Sequence, residues 1–379
     1  MALYPRGTHP GGRFPALPGA GCGKDGRMRV EELETPVPVV DLDVMERNLK
    51  RMQDYCDTHG IALRPHIKTH KLPRLAQRQV ELGAKGITCQ KLGEAEVMAD
   101  AGLDDIFISY PLIGEAKAHR LAALAKRVRM RVAVDNPLAL ATAAQAARES
   151  GAEIGVVVEF DSGNKRTGVE TVGEALALAK EIAATPGLRF DGLMTYPTSA
   201  QTRVFLEEAR PAFAAAGLEI PMLSGGGSPG AWAVHEVAPI DEMRVGTYIY
   251  NDRAMVGAGA ATLDDCAMVV WATVISRPAE GRAILDCGSK TLSSDMVAPE
   301  VGPGYGLMPD YPDAVITRVN EEHGTVDVSR CAKKPELGER VRIIPNHTCV
   351  VTNLHDEVVF ARDGEVVGSW PIPARGMTR

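Results

Sequence analysis

The densest chemistry in the chain is Arg64-Pro65-His66-Ile67-Lys68-Thr69-His70-Lys71, which closes a short apolar run. Lys and Arg are seldom buried unless paired, so this block has two readings. It is a solvated basic loop, or one lysine is an amine of lowered pKa in a partly dry pocket, able to form a Schiff base with a carbonyl. A second cluster, Glu159-Phe160-Asp161-Ser162-Gly163-Asn164-Lys165-Arg166-Thr167-Gly168-Val169, also ends an apolar run. Its glycines permit tight backbone and Arg166 could face an anionic oxygen, although a plain polar turn accounts for the same composition. Ser224-Gly225-Gly226-Gly227-Ser228-Pro229-Gly230 offers bare backbone N–H groups and hydroxyls that suit a phosphate, or is simply a flexible turn. His347 and Cys349 lie two apart at the end of a strand-like run, which would send both side chains to the same face. An imidazole and a thiolate there could share Zn2+; a buried cysteine beside a hydrogen-bonded histidine is the plainer alternative.

These residues need elements to position them. From residue 35 onward, short β-branched runs alternate with Ala/Leu/Glu/Arg-rich segments. Strands are expected at 62–66, 86–90, 105–110, 129–135, 153–161, 188–196, 222–226 and 242–249. Helices are expected at 44–59, 72–82, 92–101, 116–127, 137–150, 172–184 and 201–216, each with apolar residues at i, i+3, i+4 spacing. Eight strands with crossovers between them point to an α/β fold, a (β/α)8 TIM barrel, in which chemistry collects at the C-terminal strand ends. After about residue 265 the texture becomes strand-like at 267–275, 283–286, 313–320, 325–328, 340–345, 357–361 and 365–370, with no long helical pattern, so an all-β second domain is expected. The organisation is then a flexible arm over 1–28, a barrel domain over 29–265 and a β domain over 266–379.

Composition narrows the partners. The chain has 379 residues, 45% hydrophobic and 24% charged, enough to build a large core. A net charge of −7 without a dense basic run gives no footprint for nucleic acid or an acidic membrane. Seven scattered cysteines without C-x-x-C suggest neither a disulfide framework nor a zinc ribbon, and a reducing cytoplasm fits them. No apolar run approaches the ~18 residues of a membrane span, and the Pro/Gly-rich first 28 residues lack the apolar stretch of a signal peptide. Gly21-Cys22-Gly23-Lys24-Asp25 fails as a phosphate loop, because Pro18 stands where the first glycine belongs and Asp25 replaces Ser/Thr. A small-molecule partner remains.

Taken in order, R-P-H-x-K-T-H-K, Cys89-Gln90-Lys91 leading to Glu94-Ala95-Glu96, E-F-D-S-G-N-K-R-T-G-V, S-G-G-G-S-P-G, E-E-H-G, P-N-H-T-C and N-L-H-D resemble the D-threonine aldolase and D-serine dehydratase family over about residues 33–379. These are fold-type III pyridoxal phosphate enzymes, related to alanine racemase. The resemblance implies that Lys68 carries the cofactor and that Arg166 and Tyr196 stand at its ring, with His66 and Gln90 as further contacts. It also implies that Ser224, Gly225, Gly226, Gly227 and Ser228 hold the phosphate, and that His347 and Cys349 bind a divalent metal, zinc or manganese, with magnesium a further option. Lys68, Arg166 and Tyr196 would be the catalytic set. A homodimer with shared sites is implied, with 35–42 an extended segment leading from the β domain into the barrel.

The implied activity is a lyase on D-3-hydroxy amino acids. Retro-aldol cleavage to glycine and an aldehyde stands ahead of β-elimination to ammonia and a 2-oxo acid; racemisation or non-catalytic cofactor binding are remote alternatives. Two features separate the branches. His347-Thr348-Cys349 is the form seen among dehydratases, where the aldolases usually carry His-x-Asp, while N-L-H-D followed by W-P-I-P-A-R-G looks like the aldolase branch. The aldolases tend to follow the tyrosine with His-Gly-Ser-x-Gln-His, so Thr202 stands where a histidine is expected.

Overall fold

The computed structural model describes residues 28–379, so the expected arm and the Gly21–Asp25 stretch fall, Met28 apart, outside the described residues. Eight parallel strands, Ala62–Leu63, Ile87–Cys89, Asp105–Ile108, Arg129–Val134, Ile154–Glu159, Leu188–Met194, Leu223–Gly225 and Glu242–Met243, form one sheet. A parallel bridge between His66 and Thr88 brings the first and second of them together. All six residues of Ile154–Glu159 are buried, as expected of a strand covered on both faces. The helices follow the expected order: Leu42–Thr58, Pro73–Glu81, Leu92–Asp100, Glu115–Ala125, Pro137–Ser150, Val172–Ala184 and Ala200–Ala215.

Local chemistry sets these boundaries. Pro137 occupies the first turn of its helix, where its missing N–H costs nothing, and the Asn136 side chain accepts from the Ala139 N–H at 2.9 Å. The helix ends at Gly151, whose left-handed φ of 68° a larger residue would resist. Replacing Asn136 by Ala would cost roughly 1 kcal/mol.

The second sheet runs in the order Val315–Val319, Gly324–Asp327, Arg282–Leu285, Met268–Ala279, Val37–Asp41, Glu357–Arg362, Glu365–Pro371, with Arg340–Ile343 also on Met268–Ala279. The extended segment expected at 35–42 is thus a strand of this sheet, antiparallel to Met268–Ala279 and parallel to Glu357–Arg362. Asp41 ends it and caps the first barrel helix, accepting from the N–H groups of Asp43 and Val44 at 2.9 and 3.0 Å. One residue therefore joins the two sheets' chain segments.

Two expectations are corrected. The runs at 62–66 and 242–249 are regular strands only at their starts. Ladder bonds continue to His66, whose N–H donates to Val245 at 2.8 Å, and then both segments lift out at the barrel mouth into 3-10 turns, Ile67–Thr69 and Thr247–Ile249. The β domain also contains helix Thr348–Leu354, so His347 and Cys349 do not end a strand; His347 is the helix N-cap and Cys349 lies in its first turn. The β-branched Val350-Val351-Thr352 reads as strand, but tertiary contacts override that weak propensity.

The barrel interior is layered. Near the N-terminal strand ends, Arg64 pairs with Glu242 at 2.6 Å and Asp105 at 2.7 Å, and Arg131 joins Glu242 to Asp191 at 3.1 and 2.8 Å. Phe107, Ala133, Val157 and Met194 form a separate apolar plug. The guanidinium groups of Arg131 and Arg244 each lie 5.7 Å from the Phe107 ring.

Candidate active site

A cavity of about 160 Å³ opens at the C-terminal mouth of the barrel. Lys68, His66, Gln90, Arg166, Tyr196, Gly227, Ser228 and His347 all contribute to its wall. These come from six separate stretches of sequence that the barrel topology converges.

The basic block resolves into one free amine and four engaged neighbours. Arg64 is in the buried ion network. His70 binds Gln79 and accepts from the Leu72 N–H. Lys71 is buried against Glu94 at 2.9 Å. His66 accepts from the Lys68 N–H through Nδ1 at 3.3 Å, which leaves Nε2 as the donor to Gln90 Oε1 at 3.0 Å. Burial and the Lys68 charge hold the His66 imidazole well below its usual pKa, so it is neutral. Within this block only Lys68, half-buried on the turn Ile67–Thr69, has a side chain that makes no hydrogen bond or ion pair with the described residues.

Arg166 lies with its guanidinium 4.8 Å from the centre of the Tyr196 ring. Its loop is folded by Asp161, whose carboxylate accepts from the N–H groups of Gly163, Asn164 and Lys165. Arg244, Ser109, Met194, Met255, Gly246 and Thr247 also line the cavity, none of them singled out from sequence. A signal existed for Arg244, an arginine inside the apolar run Met243-Arg244-Val245. It is buried, donating to Ser224 Oγ at 2.8 Å and to the Thr195 carbonyl at 2.6 Å.

The glycine-rich loop divides. Ser224, Gly225 and Gly226 do not line the cavity: Ser224 is fully buried between Glu242 and Arg244, and the Gly226 N–H donates to Thr198 Oγ1 at 2.7 Å. An added Cβ at Gly225 would meet that same Thr198 hydroxyl at 2.5 Å, so this glycine serves packing. Gly227 and Ser228 do face the cavity, and Ser228 Oγ accepts from the N–H groups of Gly246 and Thr247 at 3.4 and 3.2 Å. A Cβ on Gly246 would meet Thr69 Oγ1 at 2.8 Å, which keeps this cradle bare. The donor set suits a phosphate. Three cations, Lys68, Arg166 and Arg244, line the cavity with no carboxylate among the lining residues, which favours an anionic ligand.

His347 is part of the cavity wall, and Cys349 stands two residues further on, behind Thr69 and Thr247. Burial alone would lower the His347 pKa, but Asp252 and Cys349 push it up to about 11. Burial would raise the Cys349 thiol, yet His347 and Lys68 bring it below its ordinary value. Cys56, buried without such partners, is pushed up to about 12. Thr69, the residue after Lys68, places its hydroxyl 3.1 Å from Cys349 Sγ, so the lysine turn and the thiol are in direct contact. Among the described residues no group of three His, Cys, Asp or Glu side chains stands ready as a metal cage. Two soft-to-borderline ligands with open positions fit a catalytic metal better than a closed structural one.

The remaining polar knots are structural. Lys290 pairs with Glu322, His355 contacts the Thr291 carbonyl, and Asn353 accepts from the Gly376 N–H. Thr202, fully buried, accepts from the Ser199 N–H at the start of its helix.

The alanine racemase N-terminal domain model matches residues 40–254, more than half of the chain, and the serine dehydratase domain model matches 267–361. A D-threonine aldolase of Arthrobacter sp. is 38% identical over 92% of this chain and 94% of its own. The chain belongs to the D-threonine aldolase and D-serine dehydratase family. A D-threo-3-hydroxyaspartate dehydratase of Delftia sp. (strain HT23) from the same family is 34% identical over 84% of this chain and 91% of its own. The crystal structure of D-threonine aldolase from Filomicrobium marinum superposes with a TM-score of 0.84 at 34% identity, covering 93% and 99% of the two chains. The fold is that of the alanine racemase-like family, and pyridoxal phosphate fits the fold-type III family to which it belongs. No helix among the described residues is long and apolar enough to cross a membrane.

Proposed function

We propose that the chain is a pyridoxal phosphate- and divalent-metal-dependent lyase of D-3-hydroxy amino acids, acting by retro-aldol cleavage to glycine and an aldehyde. The observation that carries this reading is one unpaired lysine in a carboxylate-free cationic cavity whose wall includes His347, with Cys349 held against the lysine turn. Family relatives at 38% and 34% identity are a D-threonine aldolase, which supports cleavage, and a D-threo-3-hydroxyaspartate dehydratase, which supports the elimination considered below.

When bound, the cofactor supplies a conjugated ring that takes up the electron pair of a bond breaking at Cα, and a metal supplies a Lewis acid for the β-oxygen. Lys68 would hold the cofactor covalently and, once released, is the amine able to move a proton at Cα. Ser228, with the N–H groups of Gly246 and Thr247, would bind the phosphate. Arg166 and Arg244 supply positive charge for the cofactor and for the substrate carboxylate. His347 and Cys349 would hold the metal, zinc or manganese. A homodimer, in which a second copy completes the open mouth, and a cytoplasmic location belong to the same proposal.

One observation favours β-elimination as a second reading. Position 202 carries a buried threonine spent on the Ser199 N–H, so no imidazole stands there to take the β-hydroxyl proton that cleavage between Cα and Cβ must remove. In that reading Lys68 takes the Cα proton and hydroxide leaves. The test is incubation of the loaded enzyme with D-threonine, D-serine and D-3-hydroxyaspartate, measuring glycine and aldehyde against ammonia and 2-oxo acid. Glycine and aldehyde are expected; ammonia alone would overturn the aldolase in favour of the dehydratase. Cys349→Ala should lose metal and activity together, and full wild-type activity in chelator would remove the metal from the proposal.

A further inference from the structure

We infer that Asp252 is a positioning residue for the metal pair: it grips His347 through Nδ1 so that Nε2 is the nitrogen offered to the metal. The inference rests on the reading of His347 and Cys349 as metal ligands.

Asp252 is fully buried and precedes the short helix Arg253–Gly257, on the barrel side of the junction. One oxygen, Oδ1, accepts from the Met255 N–H at 3.0 Å and caps that helix. Capping a five-residue helix needs no carboxylate, since Ser or Thr does it as well without burying a charge. The other oxygen, Oδ2, is spent entirely on the metal-pair segment. It lies 3.1 Å from His347 Nδ1, 3.1 Å from the Thr348 N–H donor and 3.3 Å from Thr348 Oγ1.

The neighbours of Asp252 fasten the same turn. The Arg253 N–H donates to the Pro345 carbonyl at 3.1 Å, and the Ala254 N–H to that of Asn346 at 3.3 Å. The buried Arg253 guanidinium reaches Asn346 Oδ1 at 3.2 Å and the Pro303 carbonyl at 2.8 Å. Three consecutive residues at the end of the barrel thus hold four consecutive residues of the β domain. A carboxylate at Nδ1 keeps a proton on that nitrogen, so Nε2 is the nitrogen whose proton a metal displaces. His347 is itself a wall of the cavity and partly exposed. The edge turned away from Asp252 is therefore the one available to a metal. Outer partners of this kind set ligand orientation and basicity.

The experiment measures zinc affinity of the pyridoxal phosphate-loaded protein by competition with a chromophoric chelator, for wild type, His347→Ala, Asp252→Ala and Asp252→Asn. Asp252→Ala should weaken zinc about 10–100-fold, with cofactor absorbance and far-ultraviolet circular dichroism unchanged. Asp252→Asn, which keeps an acceptor oxygen but not the charge, should fall between Ala and wild type. Should Asp252→Ala not fold, Asp252→Asn decides alone. Wild-type zinc affinity in folded Asp252→Asn, alongside loss in His347→Ala, overturns the role of Asp252 and leaves the metal reading standing. Zinc binding that survives His347→Ala, or is absent from wild type, overturns the metal reading and this inference with it.

Discussion

The barrel carries buried or half-buried charge at both of its ends, and the two ends treat it in opposite ways. Near the N-terminal strand ends, Asp105, Arg64, Glu242, Arg131 and Asp191 form an unbroken alternation in which each cation touches two carboxylates within 3.1 Å. At the mouth, Lys68, Arg166 and Arg244 share a cavity wall with no carboxylate. The same residue types therefore mean different things according to their partners. Paired charge repays its desolvation locally and fixes the arrangement of strands. Unpaired charge at a cavity is a cost that a ligand can offset, which makes it the mark of a binding site. Lys68 and Lys71 repeat the contrast three residues apart: Lys71 is matched with Glu94, Lys68 with nothing.

The largest expected effect comes from removing the unmatched amine. Lys68→Ala should reduce kcat by at least ~10³-fold and abolish the cofactor's visible absorbance. Because no ion pair is lost, unfolding free energy should move by no more than ~0.5 kcal/mol. Steady-state kinetics, absorbance and a denaturant melt read all three. A variant that retains the chromophore, or one that unfolds, would break the distinction between the two ends.

The complementary change at the other end should do the reverse. Glu242→Gln leaves Arg64 only Asp105 and Arg131 only Asp191, and should cost about 1–3 kcal/mol of stability, with activity per folded molecule retained. The pH dependence has a definite sign. Burial alone would raise the Glu242 carboxyl, but Arg64 and Arg131 hold it below its ordinary value near 4.5. Its contribution is thus fully present above that value and lost as pH falls through the lower, folded value. Melts of wild type below pH 4.5 should lose stability steeply, and Glu242→Gln should flatten that slope. An unchanged slope would show that Glu242 is not the group being titrated.

This contrast also explains what the sequence could and could not reveal. Period and turn chemistry locate all eight barrel strands in order, and helices Pro137–Ser150 and Val172–Ala184 coincide with expectation to the residue, because Asn136-Pro137, Gly151 and Thr171 punctuate them locally. Lys68, Arg166, Tyr196, Gly227, Ser228, His347 and Cys349 are legible as an ordered set of motifs; the fold brings the first six to one cavity and sets Cys349 against Thr69 of the lysine turn. Ser224 was not separable from Ser228 in a uniform glycine-rich run, since only the tertiary partners Glu242 and Arg244 turn it inward. Helix Thr348–Leu354 was hidden for a similar reason: the carboxylate that accepts from its first N–H belongs to Asp252, 96 residues away along the chain. Local rules miss what distant partners decide.

The divided glycine loop supplies the finest test of the comparison, because Ser224 and Ser228 are chemically identical and four residues apart. Ser224 donates to Glu242 at 2.9 Å and accepts from Arg244 at 2.8 Å in full burial, so it belongs with the paired charges. Ser228 meets the N–H groups of Gly246 and Thr247 at the cavity wall, so it belongs with the site. Ser228→Ala should weaken pyridoxal phosphate binding roughly 5- to 10-fold, or about 1–1.4 kcal/mol for one lost hydrogen-bonding group, with little change in melting. Ser224→Ala should cost about 1–3 kcal/mol of stability by leaving a buried partner unsatisfied, with cofactor affinity held within roughly twofold. Absorbance titration of cofactor-free protein and thermal melts of both variants give four numbers. If the two serines shift affinity equally, the whole loop is the phosphate cradle and the boundary drawn inside it between structural and binding polarity is wrong. If they part as expected, that boundary falls between Gly226, whose N–H is spent on Thr198, and Gly227.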